Sequence, residues 1–213
     1  MAYDFKKMEK ELYLPGNAPG LIQVPPMRYV ALRGVGDPNR EDGTYMRGIP
    51  VLYAVAYALK MSGRGGRAIE GFFDYVVPPL EGFWALPGAT GFDPGRKGEF
   101  RWISCIRLPD FVSRADFDWA AAEAVRKKGI DTSMLEYLAV DEGLCVQAMH
   151  IGPYDDESAT VARMDAFVAA NGLDNDFTDA RWHHEIYLSD PRRVAPERMK
   201  TVIRHPVRRV GPD

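Results

Sequence analysis

Cysteine is nearly absent: Cys105 and Cys145 stand 40 positions apart in 213 residues, and no Cys-x-x-Cys occurs. That spacing excludes a zinc knuckle and a thioredoxin-type redox pair, so both are expected as small core hydrophobes. Charge of one sign is also lacking, with 27 Lys and Arg against 30 Asp and Glu and a net charge of −3. Such a balance argues against binding nucleic acid by bulk electrostatics. No apolar run approaches the roughly 20 residues of a membrane span. The longest, Ile49 to Leu59, falls far short. The first ten residues carry Asp4, Lys6, Lys7, Glu9 and Lys10 where a secretory signal needs an apolar stretch, so a cytoplasmic location is expected, with no membrane partner.

Familiar motifs fail by single residues. Gly34-Val-Gly36 opens like a dinucleotide fingerprint, but Asn39 stands where the third glycine is needed. His184-Glu185 opens like a zinc-protease helix, yet Leu188 occupies the place of the second histidine. Neither a Walker loop nor a Gly-x-Ser-x-Gly elbow is present. No cofactor and no metal is expected.

What is there is ordinary globular material, 46% hydrophobic and 27% charged, enough for one large domain or two small fused units. Between Arg192 and Arg209 seven Lys and Arg face one acid, Glu197. The plain reading of that basic tail is a solvated last helix and strand; the other is a phosphate or nucleic-acid contact.

Residues 1–26 read as an extended leader, because Pro15, Gly16, Pro19, Gly20, Pro25 and Pro26 prevent any long helix. A folded domain is expected over 27–207. Its first module, about 27–110, has a strand from Met27, a helix from Ile49 to Met61 with Pro50 in its first turn, a strand over Gly71 to Val77 closed by Pro78-Pro79, and a strand from Phe100 to Leu108. A linking helix, about 114–129, is capped by Ser113 and stopped by Gly129. The second module, about 140–207, repeats the order: strand Gly143 to His150, helix Ser158 to Ala170, strand Arg181 to Ser189, a helical turn at Pro196 and a last strand from Thr201. Gly36 and Gly152 each follow a strand and precede a helix, and an internal duplication is the simplest account. In that alignment the strand bearing Asp74 faces the strand bearing Glu185.

The segment from Trp182 to Leu188 carries the chemistry. Strand alternation points His183, Glu185 and Tyr187 to one face and His184, Ile186 and Leu188 to the other. If Ile186 and Leu188 pack under the helices, Glu185 lies on the opposite face. Glu185 is then either a solvated surface carboxylate or a carboxylate in an aromatic cleft. Aromatic supply favours the cleft: Tyr53 and Tyr57 lie one helical turn apart, and Phe73, Trp84, Phe100, Trp102 and Tyr137 lie on or beside candidate strands. Such walls suit a flat or cationic hydrophobic ligand, and burial raises a glutamate toward the range useful for a general base or acid. His150 is either a structural hydrogen-bonder or a ligand contact, and Asp74 is a weaker candidate.

Four strings carry a family resemblance: Pro79 to Trp84, Ile106 to Val112, Glu142 to Glu157, and His183 to Arg192. Together they resemble the GyrI-like small-molecule-binding proteins, over about Val24 to Val207. The resemblance implies an α+β fold, a pseudo-twofold tandem of two β-α-β-β (SHS2) modules with a ligand groove between them. Relatives include a gyrase inhibitor and the effector-binding domains of multidrug-sensing regulators, which hold lipophilic cations by aromatics and a central glutamate. Stand-alone members hydrolyse cyclopropanoid genotoxins such as those related to yatakemycin and CC-1065. Carried over, the central glutamate is Glu185; for a hydrolase, a phenol such as Tyr53 or Tyr137 is expected to hydrogen-bond the ketone. Tyr57, Phe73, Trp84, Phe100, Trp102, His150 and Tyr187 are then the ligand-binding residues. Ala85 stands where relatives are expected to carry a second aromatic after Trp84. The implied partner is a hydrophobic or planar small molecule. A non-catalytic binding module, which would signal through a protein partner, is the alternative.

Overall fold

The computed structural model describes residues 2–88 and 94–211. The N-terminal segment differs from the expected extended leader. It forms two single helical turns, α1 (Phe5–Met8) and α2 (Lys10–Tyr13), and a strand, β1 (Gly20–Val24). The prolines do keep its helices to one turn each. Buried Phe5, Leu12, Tyr13 and Val24 nevertheless give it an apolar face to dock, and β1 pairs antiparallel with a strand of the second module.

The first module contains β2 (Met27–Val35), α3 (Thr44–Lys60), β3 (Leu80–Ala85) and β4 (Arg101–Leu108). Helix α3 starts before the expected Ile49, so Pro50 lies inside it rather than in its first turn. The cause is tertiary: a Cβ on Gly48 would sit 2.1 Å from Leu32 Cδ2, so this glycine lets the early helix lie directly on β2. The expected strand over Gly71 to Val77 is irregular, with a β-bridge between Tyr75 and Tyr3 in place of a strand pairing. Pro78 and Pro79 precede the true strand instead of closing an earlier one, because proline cannot donate to a ladder. Of the Pro/Gly-rich stretch from Pro87 to Gly98, residues 89–93 lie outside the described residues.

Helix α4 (Arg114–Lys128) has the expected ends. Ser113 and Asp116 form a reciprocal capping box, and Gly129, at φ 63°, supplies the left-handed C-cap. Then come β5 (Leu135–Val140), β6 (Gly143–Ile151), α5 (Ser158–Ala170), β7 (Leu173–Asn175), β8 (His183–Tyr187) and β9 (Lys200–Arg209).

Eight strands form a path in the order β1-β6-β9-β8-β3-β4-β2-β5, with β7 added on β9, and every pairing is antiparallel. The central six read as a palindrome: first, third and second strand of one module meet second, third and first of the other. With Gly36 set on Gly152, the registers of all five pairings carry Gly82 onto Glu185, and these two residues face each other across the β3–β8 junction. The pseudo-twofold therefore passes between Gly82 and Glu185.

Helices cover one face of the sheet. Under α3 and α4 lie Val30, Leu32, Trp84, Trp102 and Ile106; under α5 lie Val146, Ala148, Ile203 and Val207. The N-terminal segment closes the other face, over Tyr29, Phe83, Ile103, Cys105, Cys145, Ile186 and Val202. Both cysteines are free and buried. Four cations of the basic tail are taken up in ion pairs: Arg192 and Arg193 with Asp190, Arg208 with Asp174, and Arg204 with Glu142 in the interior.

Candidate active site

Strand β8 alternates as the sequence predicts, but its faces are reversed. Ile186 and Leu188 pack with Phe5, Tyr13, Tyr29 and Phe83 under the N-terminal segment rather than under the helices. His183, Glu185 and Tyr187 consequently point to the helical face, into the seam between α3 and α5.

Glu185 is 5% exposed. Its Oε1 lies 2.9 Å from His183 Nε2, and His183 Nδ1 lies 2.8 Å from His205 Nε2 on β9. Burial and the neighbouring His183 push the His205 pKa well below its ordinary value. The Tyr187 hydroxyl also hydrogen-bonds Glu185 and accepts from Trp84 Nε1 at 3.1 Å. Burial, then the Glu185 charge, raises the Tyr187 phenol far above its ordinary value and pushes Tyr154 up to about 12. Glu157, the residue before α5, is 2% exposed and hydrogen-bonds Glu185, and no N–H or O–H donor reaches its Oε1. Burial followed by the Glu185 charge raises its carboxyl well above the usual range.

Aromatic rings enclose this carboxylate pair. Tyr154 meets Tyr187 edge-on at 5.6 Å, and Tyr45 lies 5.4 Å from Trp84 and 5.1 Å from Trp102. The Tyr45 hydroxyl faces the same group beside Tyr187. Space for the Trp84–Tyr187 bond comes from Gly82, where a Cβ would sit 2.7 Å from Trp84 Nε1 and 2.8 Å from Tyr187 Oη. One module thus supplies a glycine and the other a glutamate at equivalent positions, which turns a symmetric junction into a single charged site.

Of the residues expected at the site, Glu185, Tyr187 and Trp84 come together. Trp102 and Phe100 stand behind them as buried support, Phe100 at 6.0 Å from Trp84. Tyr53 is half-buried on α3, hydrogen-bonded to the Leu80 backbone, and Tyr57 is half-exposed beside it at 6.3 Å. Phe73 is not brought to Glu185; it packs with Tyr3, Tyr75 and Phe111 beside the N-terminal segment. The Tyr137 hydroxyl donates to the Val112 carbonyl at 2.7 Å and its ring packs on Phe117, away from β8. His150 spans Thr160 Oγ1 at 3.0 Å and the Pro153 carbonyl at 2.9 Å, tying β6 to the start of α5. Asp74 is exposed and paired with Lys60, and Gly82, not Asp74, is the counterpart of Glu185.

Sequence reasoning missed Glu157, Tyr45, Tyr154 and His205. Tyr45 fell before the helix start assigned from periodicity. Glu157 stood at the head of a helix, where an acid is ordinary and signals nothing more.

Behind the sheet lies a second buried polar group. His184 Nδ1 is 3.0 Å from Glu142 and its Nε2 is 3.0 Å from Glu81, while Arg204 reaches Glu142 at 2.9 Å. Burial alone would raise Glu142, but the His184 and Arg204 charges hold it down to about 2. Burial opposes the His184 charge, and the two carboxylates overcome it, raising that imidazole. Phe83 stacks on the His184 ring at 4.0 Å. A cavity of about 410 Å³ opens on this face between Phe83, Ile103, Leu138, Val140, Arg181 and Trp182. It lies across the sheet from Glu185; Asp141, Glu142 and Asp179 also line it, with Glu142 tied up by His184 and Arg204.

Glu157, His183 and Glu185 offer polar atoms within 4.8 Å of one another. Each is already engaged in hydrogen bonds within the group. The cluster is therefore suited to holding protons.

These features define a class: a tandem β-α-β-β protein with one glutamate at the pseudo-twofold, walled by aromatics. The profile of the GyrI-like small molecule binding domain matches residues 18–208, and the chain belongs to that family. An uncharacterized conserved protein from Listeria innocua is 45% identical with a TM-score of 0.90, over 97% of this chain and 100% of that one. A protein described as a hydrolase from Listeria innocua is 44% identical with a TM-score of 0.86, over the same shares. The C-terminal domain of EcmrR has the same fold at 15% identity, with a TM-score of 0.53 over 90% of this chain and 98% of that one. No curated protein matches the chain. No helix among the described residues is long and apolar enough to cross a membrane.

Proposed function

We propose that this protein is a cofactor-independent hydrolase that adds water to a planar, hydrophobic cyclopropanoid in the seam between α3 and α5. The observation that carries the reading is the buried Glu185 carboxylate, hydrogen-bonded by His183 and Tyr187 and enclosed by Tyr45, Trp84 and Tyr154. Similarity to a Listeria innocua protein described as a hydrolase supports it.

Water attacks the ring methylene while Glu185 takes its proton. The cyclopropane C–C bond breaks and its electron pair passes through the conjugated ring to the ketone oxygen, which becomes an oxyanion. A phenol donates a hydrogen bond to that oxygen. Tyr45 is our candidate for this role, because the Tyr187 proton is directed at Glu185 and Tyr137 is committed to Val112. Because Glu185 is 5% exposed, a ligand reaches it only when a wall side chain moves aside.

One observation favours a second reading. A buried carboxylate among several aromatic rings also suits a lipophilic cation that is bound and not transformed. Incubation with a spirocyclopropyl cyclohexadienone, followed by loss of its ultraviolet band, separates the two. Turnover that disappears in Glu185→Gln with binding retained supports the hydrolase. Saturable binding without turnover supports the binding module, and turnover unchanged in Glu185→Gln refutes the role of Glu185.

A further inference from the structure

We infer that Glu157 and Glu185 form a carboxyl pair holding one proton between them, with Glu157 as the acid and Glu185 as the anion. The inference stands whether the seam turns over its ligand or only binds it.

The argument begins with donors and acceptors. An ionised carboxylate only accepts, so a hydrogen bond between two glutamates requires a proton on one of them. Glu157 and Glu185 bring carboxyl oxygens within 4.8 Å of each other and share a hydrogen bond. Two full charges at this separation, out of water, would repel by several kcal/mol, roughly 4 at an effective dielectric of 20.

The partners then decide which residue carries the proton. Glu185 faces two further donors, His183 Nε2 at 2.9 Å and the Tyr187 hydroxyl, both suited to an anion. Glu157 has no such supply: no N–H or O–H donor reaches its buried Oε1, which a neutral acid tolerates better than an ion. The other charged and titratable groups facing Glu157 are few. Tyr154 and Asp155 come from the turn before it, and His205 stands behind His183. Asp155 adds negative charge, and His205 is held neutral.

The pair has a use in the hydrolase reading. If water gives its proton to Glu185, the pair holds two, and the oxyanion formed at the ketone takes one. The pair is then back to a single proton with no exchange with solvent.

Infrared difference spectroscopy on the ligand-free full chain, labelled with carboxyl-13C glutamate, tests the pair without any assay of activity. Expected is a protonated carboxyl band at neutral pH that is missing in Glu157→Gln and titrates at lower pH in Glu185→Gln. Absence of that band in the wild type overturns the inference. So does its persistence in Glu157→Gln, which would give the proton to another acid. An unchanged midpoint in Glu185→Gln would show a glutamate raised by burial alone, and likewise overturns the pair. Should Glu157→Gln fail to fold, wild type and Glu185→Gln still decide. Failure of the hydrolase reading is a separate result, seen as absent turnover with the band intact.

Discussion

Replacing Gly82 by alanine tests how the pseudo-twofold is used. The new Cβ falls 2.7 Å from Trp84 Nε1, 2.8 Å from Tyr187 Oη and 3.1 Å from Trp84 Cε2. None of these is the loose end of a flexible chain: Trp84 is buried against Tyr45 and Phe100, and Tyr187 is held by Glu185. Overpacking of this kind costs about 1–3 kcal/mol. Loss of the Trp84–Tyr187 hydrogen bond adds about 1 kcal/mol. Against this, alanine in a strand gains about 0.5–1 kcal/mol over glycine. The net is a destabilisation of about 1–3 kcal/mol, or a fall in Tm of roughly 3–10 °C for a chain of this size. Thermal melts followed by near-ultraviolet circular dichroism read both the stability and the Trp84 environment. A Gly82→Ala protein with wild-type Tm and an unchanged aromatic spectrum would refute the claim that this glycine makes room for the site.

Other expectations follow from the two buried polar groups. Glu142→Gln leaves Arg204 and His184 without their shared carboxylate and should cost about 3–5 kcal/mol by urea denaturation, with a near-neutral result counting against the network. The wild-type pH dependence has a defined sign. Glu142 is lowered, so its contribution is present above the unfolded value of about 4.3 and is lost as pH falls through about 2. His184 is raised, so its contribution is complete below about 6.5 and is lost as pH rises through the higher folded value. Urea midpoints across the pH range should show both limbs, and Glu142→Gln should flatten the acid one. Tyr187→Phe should weaken ligand binding, while Tyr137→Phe should leave it unchanged and lower only stability, by about 1 kcal/mol. Removing residues 2–17 deprives Arg204 of the Leu12 carbonyl and Met149 of the Gly16 carbonyl. Proteolysis of the β6–β9 region should then become faster.

Local signals that need only their own neighbours were legible in the sequence. The Ser113 cap, the Gly129 stop, helix Ser158–Ala170, the alternation of β8 and the choice of Glu185 all follow from spacing and residue type. The four family strings added the tandem β-α-β-β architecture, which the sheet order bears out. Tertiary contact decided the rest. Alternation separates two faces but does not say which one the helices cover, and only packing placed Ile186 under the N-terminal segment and Glu185 under α3 and α5. Proline punctuation marked a boundary near Pro78 without saying on which side the strand lay, so Asp74 took the place that belongs to Gly82. Glu157 and Tyr45 carry no local signal of function, because an acid heading a helix and a tyrosine near a helix start are commonplace. They become site residues only when α5 and α3 are laid across the same strand, and a sequence holds that juxtaposition only through its fold.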